Sequence, residues 1–79
     1  MTTKAYILIE TAVGKSRDVS SSLRDLPGVS TVDAVTGPYD IIAVVEAPDL
    51  NAVGDLVTSR IHTIGGIGRT VTCLSVGAS

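Results

Sequence analysis

The sequence predicts an α+β sandwich with elements in the order βαββαβ, and three observations predict it. Four short stretches rich in Val and Ile are set apart by turns that carry Gly and Pro. Two other stretches carry aliphatic residues three and four apart, the spacing of one helix face. The junctions Leu26-Pro27-Gly28-Val29 and Ile64-Gly65-Gly66-Ile67 repeat one design in each half: a helix end, a glycine, and an aliphatic residue that opens a strand.

In chain order, Lys4 to Thr11 reads as the first strand, apolar on both faces from Ala5 to Ile9 and broken by Gly14. Ser16 to Leu26 reads as a helix whose stripe is Val19, Leu23 and Leu26, with Ser20-Ser21-Ser22 on its surface. Pro27-Gly28 stops it. Val29 to Thr36 is a more mixed strand, and Gly37-Pro38 turns the chain into a third, Tyr39 to Ala47, whose centre Ile41-Ile42-Ala43-Val44-Val45 has no polar side chain. Asp49 suits the N-cap of a second helix with the stripe Leu50, Val53, Val57, Ile61 and Ile64, widened by Leu56. Gly54 weakens that helix by about 1 kcal/mol against Ala. Gly65-Gly66 ends it, Ile67 to Val76 is the fourth strand, and Gly77 onward is tail. Two βαβ units joined by a hairpin give the ferredoxin-like sandwich. Right-handed crossovers then put strands one and three in the centre and the mixed strands two and four at the edges.

At 79 residues the chain is expected to form one domain, residues 1–79. A domain of that size buries only about 60–65% of its unfolded surface, so its core is thin. One cysteine excludes an internal disulfide, and one His with one Cys cannot build a zinc site, which leaves self-association as the supplement. Two helices shield one sheet face only, yet the central strands are aliphatic on both. A second copy packed sheet to sheet, the pairing of dimeric α/β barrels, is the expected cover.

A net charge of −2 with six scattered basic residues argues against nucleic acid, and two aromatic rings, Tyr6 and Tyr39, make no stacking platform. No apolar run approaches the roughly 18 residues of a membrane span, and the N-terminus lacks the pattern of a signal peptide. With a lone thiol, these features fit a cytoplasmic protein. Catalytic constellations are missing from the sequence. Gly65-Gly66-Ile67-Gly68 has neither a Walker lysine nor dinucleotide spacing. His62 reads as a surface or capping histidine at a helix end, and Cys73 as a small buried residue of an edge strand. No catalytic residue, cofactor or metal is therefore expected.

One loop looks like a site: Thr36-Gly37-Pro38-Tyr39-Asp40. Gly37 lets backbone approach a guest, Pro38 stiffens the turn, and Asp40 is a carboxylate at the mouth of a charge-free strand. A carboxylate suits an ammonium, and amide groups near Gly66 and Gly68 suit a carboxylate, so together they fit an α-amino acid. By residue type alone, a plain hairpin closed by a capping Asp is the simpler account.

Gly37-x-Tyr39-Asp40 after the Pro27-Gly28-Val29 strand start, with Ile64-x-Gly66-Ile67 and Arg69-Thr70-x-Thr72 ahead of the last strand, resembles the effector-binding (RAM) domain of the Lrp/AsnC regulators over residues 3–77. The resemblance implies a ferredoxin-like fold, sheets paired face to face as dimers that assemble into octamers or rings, and amino-acid effectors bound between dimers. Carried over, Gly37, Tyr39 and Asp40 line the hairpin side with Asp40 taking the α-amino group. Gly66, Ile67 and Gly68 face the carboxylate, and Thr70 or Thr72 supplies a hydroxyl. This chain starts at the first strand without the family's helix-turn-helix, so direct DNA binding is not implied. A stand-alone amino-acid-sensing regulatory module, able to mix with full-length regulators, is the leading reading. The alternatives are a purely structural oligomerisation partner and an enzyme of the dimeric α/β-barrel type. The enzyme requires a deep apolar cavity inside one protomer, with His62 or a Tyr at its mouth. The ACT domain shares the element order, but its glycine-bearing loop follows strand one, where Val13-Gly14-Lys15 is a poor match.

Overall fold

The computed structural model describes residues 2–76; the tail expected from Gly77 onward lies outside the described residues. The strands are β1 (Thr3–Thr11), β2 (Val29–Ala34), β3 (Ile41–Ala47) and β4 (Ile67–Leu74). They form one antiparallel sheet in the order β2-β3-β1-β4, with the two aliphatic strands central as predicted. Helices α1 (Ser16–Arg24) and α2 (Leu50–Leu56) cover one face, and α2 runs on as a π-helical turn, Val57–Ile61. The hairpin strands stop short of the predicted Thr36 and Tyr39, because Val35 N–H donates to the Asp40 carbonyl at 2.9 Å and the residues between form the turn. β4 ends at Leu74 rather than Val76, which is 84% exposed.

The core lies between helices and sheet. Ala5, Ile7 and Ile9 of β1 and Ile41, Ala43 and Val45 of β3 point into it, and Val19, Leu23, Val53, Val57 and Ile61 come down from the helices. Asp49 caps α2 as predicted, its carboxylate accepting from Ala52 N–H at 2.8 Å. The π turn, closed by His62 N–H to the Val57 carbonyl at 2.9 Å, was not foreseen. Successive four-residue spacings drift about 40° each around an α-helix, and the wider turn takes that drift back, keeping Val57 and Ile61 on the sheet.

Three expectations need correction. Leu50 is 58% exposed rather than part of the stripe, because it opens α2 one turn before Val53, where the helix settles on the core. Ser20 is buried rather than on the helix surface, because it stands beside Val19 on the inner side of α1. Cys73 is exposed rather than buried: it pairs with Tyr6 on the face that no helix covers.

That open face is set by register. Tyr6 and Leu8 lie beside Val44 and Ile42 of β3 and beside Cys73 and Val71 of β4. Charge stands at its two ends and, on the edge strand β2, at Asp33 beside Ile42. Lys4, 5.3 Å from the Tyr6 ring centre, pairs with Glu46 at one, and Glu10 faces Arg69 at the other.

Gly66 has φ +100°, and a Cβ there would stand 2.9 Å from Lys15 Cβ and 3.1 Å from Val19 Cγ2. Gly66→Ala therefore meets both backbone strain and a clash with α1. It should cost about 1–3 kcal/mol in urea denaturation, whereas Gly68→Ala, whose Cβ meets only the Glu10 carbonyl oxygen at 3.6 Å, should lie within about 0.5 kcal/mol of Gly's normal strand penalty.

Candidate functional site

The predicted site residues gather mostly at one end of the sheet, on either side of the last residues of β1. The hairpin lies on the β3 side. Asp40 N–H donates to the Ile9 carbonyl at 2.9 Å, and Asp40 Oδ2 accepts from Thr11 N–H at 2.8 Å and from Thr11 Oγ1 at 3.3 Å. Its Oδ1 makes no hydrogen bond among the described residues. The α2–β4 turn lies on the other side, where Ala12 N–H donates to the Gly66 carbonyl at 2.7 Å. Thr11 and Ala12 thus act as a strut that holds both halves of the site.

Local sequence explains the shape of each half. Gly37 has φ +129° and open space around its missing Cβ, so the hairpin tip presents bare backbone. Thr36 and Gly37 are exposed, while Tyr39 and Asp40 are half-buried. Gly68 is the extra residue of a bulge: the β1 partner shifts from Arg69 opposite Glu10 to Ile67 opposite Thr11. That bulge opens a cleft of about 310 Å³ lined by His62, Ile67, Gly68, Arg69 and Thr70. Within it His62 Nε2 and Thr70 Oγ1 share a hydrogen bond of 2.9 Å.

The structure therefore joins Ile67, Gly68 and Thr70 in one cleft, and adds His62 and Arg69, which sequence reasoning did not place there. His62 was readable only through its distance along the π turn, and nothing in the sequence announces that turn. Gly66 stands behind the cleft, packed against α1 rather than facing a guest. Asp40 and the hairpin do not line the cleft, since β1 stands between β3 and β4 and those strands are about 10 Å apart. Thr72 is opposite Ile7, four residues along β1 from Thr11 and so about 13 Å from the site end. Among the described residues no three His, Cys, Asp or Glu side chains come together as metal ligands, and no helix is long and apolar enough to cross a membrane.

A ferredoxin-like sandwich that carries exposed backbone, a carboxylate and a small polar cleft on turns at one end of its sheet is built as a ligand-binding domain. The chain belongs to the Lrp/AsnC ligand binding domain family, which it matches over residues 4–78. It is similar to an uncharacterised HTH-type transcriptional regulator of Pyrococcus horikoshii, 33% identical over 76 residues that cover 92% of this chain and 51% of the relative. The chain spans about half the length of the curated relatives it matches. Among solved structures, TTHA0845 from Thermus thermophilus is 34% identical with a TM-score of 0.92, over 98% of this chain and 96% of that one. A Neisseria meningitidis transcriptional regulator solved as its L-Met complex is 21% identical with a TM-score of 0.85, over 95% of this chain and 50% of that one, and shows the shared fold.

Asp40 has a structural duty that can be separated from any ligand duty. Asp40→Ala removes the acceptor of Thr11 N–H and should cost about 1–3 kcal/mol in urea denaturation. Asp40→Asn keeps an acceptor oxygen and should cost about 1 kcal/mol or less, leaving a folded protein that lacks the charge.

Proposed function

We propose that the chain is an amino-acid-sensing, oligomerising module of transcription regulation, acting without catalysis in the cytoplasm. The observation that carries this is the half-used carboxylate of Asp40: Oδ2 is held by Thr11, which fixes the group, and Oδ1 is left to accept from an ammonium. Thr36, Gly37 and Tyr39 frame that side of the pocket. The carboxylate of the ligand goes to the bulge cleft, to the backbone of Ile67 and Gly68 and the hydroxyl of Thr70, with Arg69 at its rim; Gly66, packed against α1 behind the cleft, positions that backbone without touching the ligand. Thr72 stands too far along β4 to share that cleft and is left out. Because β1 separates Asp40 from the cleft within one copy, the two halves meet where the hairpin of one copy reaches the turn of another. A site between dimers of this kind is what the family resemblance implies. The L-Met complex of the Neisseria regulator supports an amino acid as the ligand class.

The open face supports the assembly. Tyr6, Leu8, Ile42, Val44 and Val71 form an apolar patch, and each of its aliphatic side chains gains roughly 1.5–3 kcal/mol when fully buried. A second copy covers it with the same surface, and dimers so made join into an octamer or ring, alone or mixed with full-length regulators. The relatives are named as transcriptional regulators, and the space between sheet and helices is filled by Ile7, Ile9, Leu23, Ile41 and Ile61, all fully buried, where an enzyme of the dimeric barrel type needs a cavity.

Calorimetric titration with the twenty amino acids should give saturable binding of at least one, weakened at least about tenfold in Asp40→Asn. Twenty blank titrations end the amino-acid reading. Native mass spectrometry should show multiples of the 8.1 kDa chain, and Val44→Asp, which sets a charge in the patch, should give monomers or insoluble protein. A Val44→Asp chain that keeps its assembly overturns the sheet-to-sheet packing.

A further inference from the structure

The π turn that ends α2 delivers one side chain to the bulge cleft, the imidazole of His62. In an α-helix the His62 N–H would bond the Thr58 carbonyl; here it reaches one residue further back, to the Val57 carbonyl at 2.9 Å. The widened turn carries the ring over β4, where Nε2 stands 2.9 Å from Thr70 Oγ1. Thr70 is opposite Ile9, which is fully buried in the core, so its side chain rises on the helix side of the sheet, toward the ring. Both side chains line the cleft, and His62 Nδ1 makes no hydrogen bond among the described residues.

That hydrogen bond has a direction, and the chemistry of the cleft sets it. A threonine hydroxyl has one proton. If Nε2 accepts, the proton goes to the ring and Thr70 turns only lone pairs to the cleft. If Nε2 donates, Thr70 Oγ1 is the acceptor and its own proton is free to point into the cleft. The other polar groups there are donors: the guanidinium of Arg69 and the backbone N–H of Gly68, which the bulge leaves outside the ladder. Glu10 pairs with Arg69 at 3.8 Å but does not line the cleft, and among the described residues no carboxylate does. A ligand carboxylate offers acceptors only, so it completes this set only when Thr70 donates. Two of the three protonation forms of the ring, the Nε2–H tautomer and the imidazolium, give that direction, and the Nδ1–H tautomer alone reverses it.

We infer that His62 is a positioning residue: its Nε2–H donates to Thr70 Oγ1 and so aims the Thr70 hydroxyl proton at the carboxylate of the ligand. The inference rests on the reading of the bulge cleft as the carboxylate half of the pocket, and it adds a residue that acts through Thr70 rather than on the ligand. A hydroxyl without such a partner turns among its staggered positions and has to be ordered when the ligand binds. With Oγ1 held by the ring, that ordering is done in the folded protein before the ligand arrives.

The test uses NMR of the full chain, with acetate as the probe because it carries the carboxylate without the ammonium. Long-range ¹H–¹⁵N spectra of the imidazole, which separate its three forms, should show Nε2 protonated in the free protein. Acetate, titrated against matched sodium chloride, should give saturable shifts at the amides of Gly68, Arg69 and Thr70. His62 is exposed, and any residue but proline keeps the backbone N–H of the π turn, so His62→Leu should fold with an otherwise parental spectrum. It should weaken acetate binding at least about fivefold, and His62→Gln, whose amide donates from nearly the same place, should restore it to within about twofold. Thr70→Val should weaken binding at least as much, and adding His62→Leu to it should cost nothing further, because His62 acts through Thr70. An Nδ1–H ring, acetate shifts that never saturate or that chloride reproduces, a His62→Leu chain that binds like the parent, or losses that multiply in the double variant overturn the inference. Twenty blank amino-acid titrations beside saturable acetate binding end the amino-acid reading and leave His62 in its role; an Nδ1–H ring beside intact amino-acid binding does the reverse.

Discussion

Two helices cover one face of a four-stranded sheet and no more, and this chain spends its best aliphatic residues on both faces. The covered side takes Ala5, Ile7 and Ile9 with Ile41, Ala43 and Val45, which are fully buried. The uncovered side takes Tyr6, Leu8, Ile42, Val44 and Val71, which are not. Alternation in β1 and β3 makes the two sets inseparable: any register that buries one displays the other. The charged groups stand at the margins of the open face, Lys4 opposite Glu46 at one end, Glu10 opposite Arg69 at the other, and Asp33 on the edge strand beside Ile42. An edge of charge around an apolar centre is a layout that supports the proposed packing of a second copy.

The same strand also organises the site. β1 ends where the hairpin and the α2–β4 turn arrive, and its last two amides are spent on them, Thr11 N–H on Asp40 and Ala12 N–H on Gly66. The bulge at Gly68 follows from this, since the shift from Glu10 opposite Arg69 to Thr11 opposite Ile67 needs one residue more on β4. Packing and site geometry are thus continuous: Gly66, whose carbonyl accepts from Ala12 N–H, packs against α1 through Lys15 and Val19.

The order of elements, the central strands, the Asp49 cap and the hydrophobic stripe at Val19, Leu23, Val53, Val57 and Ile61 were legible because each rests on a local rule: periodicity, turn chemistry or capping. What was not legible depends on the third dimension. Residue type does not distinguish Ser20 from its neighbours Ser21 and Ser22; its burial follows from the side of α1 that it shares with Val19. Cys73 follows the alternation of β4 correctly, but which face that alternation exposes is decided by the helices. The π turn at Val57–Ile61 leaves no mark except a run of four-residue spacings, which an α-helix also tolerates over short lengths. For the candidate site, the motif residues were named by resemblance, and their separation by β1 was not, because strand order places them and spacing does not.

Division of the site has a physical consequence for how such a pocket can be precise. In the proposed site, a ligand held between two copies would meet groups whose relative position depends on assembly, so each half must be rigid on its own. Asp40 meets that requirement: its backbone N–H is tied to Ile9, its carbonyl to Val35 and one carboxylate oxygen to Thr11, leaving a single oxygen with a defined direction. Thr70 meets it through His62, which is itself the last residue of the π turn's hydrogen bond to Val57. Both half-sites are therefore anchored to the covered core rather than to the open face. The face that carries the apolar patch and the end that carries the proposed ligand groups are separate surfaces of one small sheet, and β1 belongs to both.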